Sequence, residues 1–120
     1  MAKILVLDDN EILLNTVSDA LRNEGYEVFS TNDSADIEKT LSEQNYNLLI
    51  TDIIMPDREG IEIIIHSREY YPDMKILAIS GKDLGGFNVL EVASGIGADD
   101  TLKKPFTNSQ LIEKVKAVLG

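Results

Sequence analysis

Short apolar runs alternate along the chain with segments whose apolar residues recur at helical spacing. The runs fall at residues 4–7, 26–30, 48–51, 75–80 and 101–103, each of strand length. The first helix is predicted to begin near Asp9 or Asn10, to bury Leu13, Val17, Ala20 and Leu21, and to stop at Gly25, since glycine takes the left-handed conformation after a helix at little cost. Ser34 is the predicted N-cap of the second, which carries Ile37 and Leu41. The third follows Gly60, holds Ile61, Ile64 and Ile65, and ends before Pro72; the fourth spans about 88–96. Thr107 or Asn108 caps the last, with Leu111, Val115 and Val118 on one face. Parallel strands joined by helical crossovers predict an open, doubly wound α/β sheet with helices on both faces. With no linker, repeat or low-complexity tract, residues 1–120 read as one domain.

Acidic residues stand at the ends of these strands. Asp8 and Asp9 follow the first, Asp52 ends the third, and Lys104-Pro105 closes the fifth. The carboxyl ends of parallel strands share one edge, so carboxylates distant in sequence converge there. Three clustered carboxylates repel one another and favour a cation. Oxygen ligands without His or Cys select a hard ion, and Mg2+ suits a site that keeps several waters beside a few carboxylates.

Composition narrows the remaining classes. The chain has no cysteine, which excludes thiol catalysis and Cys-based zinc sites and fits a reducing compartment. Met1-Ala2-Lys3 runs straight into a strand, and no apolar run reaches membrane-spanning length, so a cytoplasmic protein without membrane contact is expected. A formal net charge of −10, from 11 basic and 21 acidic residues, opposes direct binding to a nucleic-acid backbone. His66, the single histidine, has no companion ligands and reads as a surface or boundary residue.

Taken in order, Leu7-Asp8-Asp9-Asn10, Thr51-Asp52-Ile53-Ile54-Met55-Pro56, Gly60, Ser80-Gly81, Gly97-Ala98-Asp99-Asp100 and Lys104-Pro105-Phe106 form a specific pattern. Along its whole length the chain resembles the receiver domain of two-component response regulators. The resemblance implies a flavodoxin-like fold with a five-stranded parallel sheet in the order 2-1-3-4-5 and five helices. It implies that Asp52 accepts a phosphoryl group from a histidine kinase or phosphotransfer protein, with Mg2+ held by Asp9, Asp52 and the Ile54 carbonyl, and by Asp8 through water. Lys104 would be aimed inward by a cis peptide before Pro105, with Lys103 the lesser candidate, and Ser80 would bond the phosphoryl oxygens. Such a domain catalyses only its own phosphorylation and dephosphorylation, and signals through the fourth helix and fifth strand to a protein target or an attached effector domain. Met55-Pro56 and Gly60 shape the loop after Asp52.

The chain departs from that pattern at Thr101, where many receivers carry a Tyr or Phe that turns inward on activation. Thr101 can only exchange hydroxyl contacts with Ser80. Ile54 and Lys82 occupy the flanking positions that govern water access to the phosphoryl group. One alternative is a small Mg2+-dependent aspartyl-phosphate phosphatase, which would need an Asp-x-Asp pair after the first strand. Another is a flavin carrier of similar fold, whose phosphate the run Asp8-Asp9-Asn10-Glu11 would repel.

Overall fold

The computed structural model describes residues 2–55, 59–81 and 89–120. Five strands alternate with five helices in the order β1 (Lys3–Leu7), α1 (Glu11–Asn23), β2 (Glu27–Thr31), α2 (Ile37–Glu43), β3 (Leu48–Asp52), α3 (Gly60–Tyr70), β4 (Lys75–Ser80), α4 (Val89–Ile96), β5 (Asp100–Lys103) and α5 (Asn108–Leu119). All strand pairs are parallel, in the order β2-β1-β3-β4-β5. The central strands read as unbroken apolar runs because helices cover both of their faces.

Alternation along each strand divides the core. Ile4, Val6, Leu48 and Ile50 pack with Val17 and Leu21 of α1 and with Leu111 and Val115 of α5. Leu5, Leu7 and Leu49 point the other way, toward Ile37 and Leu41 of α2 and Ile63 of α3. Ile76 and Ala78 of β4 complete that second face with Ile64, Val89 and Ala93. Because β1 sits between β2 and β3, the chain reverses its direction of travel across the sheet beside β1, and a crevice opens there at the carboxyl edge.

Several boundaries and faces differ from the sequence expectation. The second strand runs one residue later and the fifth starts one residue earlier than the apolar runs indicate. Ser34 is buried but does not cap α2: a turn intervenes, and Asp36 holds the N-cap position without a side-chain bond. In α1 Val17, Ala20 and Leu21 are buried as expected, but Leu14 and Ser18 join them rather than Leu13. Leu13 packs only partly against that core. In α3 the inward residues are Gly60, Ile63, Ile64 and Ser67, whereas Ile65 is 49% exposed. Small residues at inward positions hide the phase of both helices from a hydrophobicity pattern. Residue 88, Pro56 and Lys82 lie outside the described residues.

The ends of α1 and α5 match expectation. Asn10 accepts hydrogen bonds from the Ile12 and Leu13 amides, and Gly25 has φ of 95° beyond the last turn. Thr107 and Gln110 form a reciprocal capping box.

Gly60 constrains the site through missing volume. Its amide donates to the Ile53 carbonyl at 2.7 Å, and a Cβ there would press against the Asp52 carbonyl oxygen and lie 2.6 Å from Ile53 Cα. Gly60→Ala is therefore expected to lower stability by about 1–3 kcal/mol, the scale of core overpacking. A urea titration checks this, and an unchanged midpoint would show that the backbone after β3 yields freely.

Candidate functional site

Strand register brings the candidate residues to one edge. Leu7 pairs with Thr51, Asp52 with Ile79 and Ser80 with Lys103, so Asp8, Asp52, Ser80 and Lys104 all emerge at the carboxyl ends of their strands. Asp9, Asn10, Asp52, Ile54, Ser80, Gly81 and Lys104 line a cleft of 290 Å³ at this edge.

Lys104 organises it. Its Nζ donates to Asp52 Oδ2 at 2.8 Å and to Asp8 Oδ2 at 3.0 Å. Its main-chain N–H donates to the Ser80 carbonyl at 3.0 Å, which carries the β4 to β5 pairing one residue past β5. The Lys104–Pro105 peptide is cis. Gly81 lets the lysine stem pass, since a Cβ at that position would lie 3.1 Å from Lys104 Cβ. Lys103, the neighbouring alternative, is exposed and lines a different cavity beside α5.

The three carboxylates occupy different environments. Asp8 is buried: Oδ1 accepts the Asn10 amide at 2.9 Å while Oδ2 takes Lys104, so both oxygens are engaged. Burial pushes the Asp8 carboxyl above its ordinary value, and the bonds from Asn10 and Lys104 offset this only in part. Asp52 is also buried, and its Oδ1 accepts the Ile54 amide at 3.2 Å. That bond turns the chain after β3 and leaves Ile54 lining the cleft. Asp9 is exposed at the rim. Burial alone would lower the Lys104 ammonium, but its bonds to Asp52 and Asp8 outweigh it and hold the group above its ordinary value.

One carboxylate oxygen from each of Asp8, Asp9 and Asp52 lies within 4.8 Å of the others. Three carboxylates against one ammonium leave uncompensated negative charge, and every donor is an oxygen. This set fits a small hard divalent ion.

Ser80 is buried at the end of β4 and lines the cleft. Thr101 does not join that lining: it is half-buried opposite Ala78 of β4, and its amide donates to its neighbour Asp100 at 2.8 Å. His66 is half-buried, with its ring 4.6 Å from that of Tyr70. Asn10 and Gly81 line the cleft without having been assigned a part in it from sequence. The N-cap preference of Asn10 was the signal available for the first; Gly81 shows its role only through contact with Lys104.

Among the described residues, no helix is long and apolar enough to cross a membrane. A family model described as the response regulator receiver domain matches residues 4–116. Among solved structures, the chain is similar to the beryllofluoride-activated NtrC4 receiver domain dimer, with 28% identity over 99% of this chain and 97% of that one and a TM-score of 0.89. It is similar to Vibrio cholerae chemotaxis protein CheY4, at 27% identity over 98% of each chain and a TM-score of 0.88. NtrX from Brucella abortus matches 98% of this chain at 26% identity and a TM-score of 0.90, but the match spans only 27% of the NtrX chain. An Asp and Lys cleft at the switch point of a 2-1-3-4-5 sheet and a family match over nearly all its length agree: the chain belongs to the response regulator receiver domain family of two-component signalling.

Proposed function

We propose that this receiver takes a phosphoryl group onto Asp52 and uses the resulting change in charge to alter a surface read by a protein partner. The observation that carries the reading is the Lys104 ammonium 2.8 Å from Asp52, within a cluster of acidic side chains. A phosphoryl donor and a carboxylate are both anionic, so transfer depends on positioning and charge neutralisation more than on acid-base chemistry. In the proposed step an Asp52 oxygen forms a bond to phosphorus while the bond from phosphorus to a donor histidine nitrogen breaks. Its electron pair stays on the imidazole.

Asp9, Asp52 and the Ile54 carbonyl would hold Mg2+, with Asp8 acting through water. Asp9 and Asp52 line the cleft and Asp8 does not, which supports that indirect part. The ion would supply positive charge opposite Lys104. Lys104 and Ser80 would orient the transferred group, and Ile54 would restrict the approach of water. A phosphatase with its nucleophile after the first strand gains no support: Asp8 and Asp9 are adjacent where that chemistry needs an Asp-x-Asp pair, and Asp52, unlike Asp8, lines the cleft.

The partners that fit this reading are a sensor histidine kinase or phosphotransfer protein upstream and a protein target or attached effector domain downstream. The acidic surface argues against a direct nucleic-acid contact. A cytoplasmic setting fits the same role.

Asp52→Asn is expected to give no phosphoryl adduct after incubation with acetyl phosphate and Mg2+, whereas the wild type gains one by intact mass. An adduct surviving in the variant would remove Asp52 from the acceptor role.

Asp9→Ala should weaken Mg2+ binding by about tenfold or more, since a site with few protein oxygens depends on each. The unfolding midpoint at neutral pH should hold or rise, because one repelling carboxylate is gone. Equal Mg2+ affinity in variant and wild type would refute the ligand assignment.

Thr101 has no ring to fill space vacated by Ser80, so the active conformer should be weakly locked. Backbone NMR with beryllofluoride and Mg2+ should show Thr101→Tyr shifting the conformer populations. Identical populations in the two proteins would exclude Thr101 from the switch.

A further inference from the structure

Away from the cleft, one side chain ties together three segments of the opposite half of the sheet. Arg68, in the last turn of α3, donates through Nε and Nη2 to the Gly97 carbonyl at 3.1 and 2.8 Å. Its Nη1 donates to the Pro72 and Met74 carbonyls, each at 3.0 Å, and Nη2 also donates to Asp99 Oδ2 at 2.8 Å. A guanidinium has five N–H donors, and these bonds engage all of them. Asp99 Oδ2 accepts in addition from the Ile76 amide at 2.8 Å. The backbone between α4 and β5 is held as well: the Ala98 amide donates to Ala93 at 3.0 Å and the Asp99 amide to Ile76 at 2.8 Å. Gly97, at φ of 131°, lets the guanidinium stem approach, since a Cβ there would lie 3.1 Å from Arg68 Cγ.

Among the described residues, β5 is an edge strand of four residues paired only with β4. Asp99 precedes it and Lys104 follows it, so it is held at both ends by charged contacts, to Arg68 at one and to Asp52 and Asp8 at the other. We propose that Arg68 makes residues 97–99 a fixed pivot from which α4 and β5 diverge. A displacement starting at Lys104 then dissipates along β5 and cannot slide the strand, and α4 can swing only from its N-terminal end. The part concerning response to the site rests on the phosphoacceptor reading, whereas the pivot itself does not.

Native-state hydrogen exchange by NMR on the unliganded chain tests the pivot directly. In Arg68→Lys, which keeps the charge and loses the fork, exchange at the Ala98 and Asp99 amides should accelerate by about tenfold or more, the scale of a lost charge-assisted hydrogen bond. Exchange at Val6 and Ile50 should stay as in wild type. Unchanged rates at Ala98 and Asp99, or acceleration spread equally over β1 and β3, would overturn the proposal. Should Arg68→Lys fail to fold, Asp99→Asn keeps an oxygen acceptor and is expected to give the same local pattern, judged by the same outcomes. A second arm adds beryllofluoride and Mg2+: wild-type shifts should fall to a minimum at residues 97–99 and spread through them in Arg68→Lys. Wild-type shifts at 97–99 as large as those at Thr101 would also sink the pivot. No shift beside Asp52 would remove the phosphoacceptor reading and leave the exchange arm to decide the pivot.

Discussion

Asp8 and Asp52 come from different strands, are both nearly inaccessible, and share the Lys104 ammonium at 3.0 and 2.8 Å. Without that contact the carboxyl edge of the sheet would hold two desolvated anions facing each other. Losing one partner of a buried ion pair typically costs about 3–5 kcal/mol, because the other charge stays behind unpaired. The lysine therefore stabilises the very arrangement that makes the cleft chemically capable. One ammonium still cannot neutralise three carboxylates, and Asp8 remains harder to ionise than an ordinary aspartate. The edge is held together but left electrostatically unsatisfied, a state that favours a divalent cation without demanding one for folding.

That arrangement depends on the sheet being parallel throughout. Only then do the ends of β1, β3, β4 and β5 lie side by side, so that residues 8, 52, 80 and 104 meet. Volume matters as much as register. Gly60 lets α3 start against the end of β3, and Gly81 lets the lysine stem cross β4. Neither glycine contributes a functional group, yet each clears space that a Cβ would occupy.

Much of this was legible in the chain, for identifiable reasons. Buried parallel strands must be continuous apolar runs, which located β1, β3 and β4, whereas β2 and β5 bury only Val28 and Leu102 and were marked by strand-length runs between helical segments. Aspartates at strand ends were informative because a carboxylate is unfavourable beside a core unless something pairs with it. The helix faces were less legible. Ser18 and Ser67 are buried and Ile65 is half exposed, so the apolar pattern found Val17, Ala20, Leu21 and Ile64 but took Leu13 and Ile65 where Leu14 and Ile63 are the buried residues. Ser34 satisfied the compositional rule for an N-cap, but a rule for residue types cannot detect the turn that moves the helix start. The Arg68 contacts were not legible at all: three of their acceptors are main-chain carbonyls, which leave no trace in residue identity.

The two charged anchors of β5 differ in kind. At the Lys104 end a long, partly exposed side chain holds two carboxylates through a single ammonium, a contact that a competing charge in the cleft can redistribute. At the Asp99 end a planar guanidinium has all five donors engaged, so no donor is spare and moving it breaks several bonds together. One end is adjustable and the other rigid. On the proposed reading, a displacement at the cleft end is taken up along the strand and stops at the turn before it. A four-residue edge strand can in this way belong both to the candidate site and to a stable sheet.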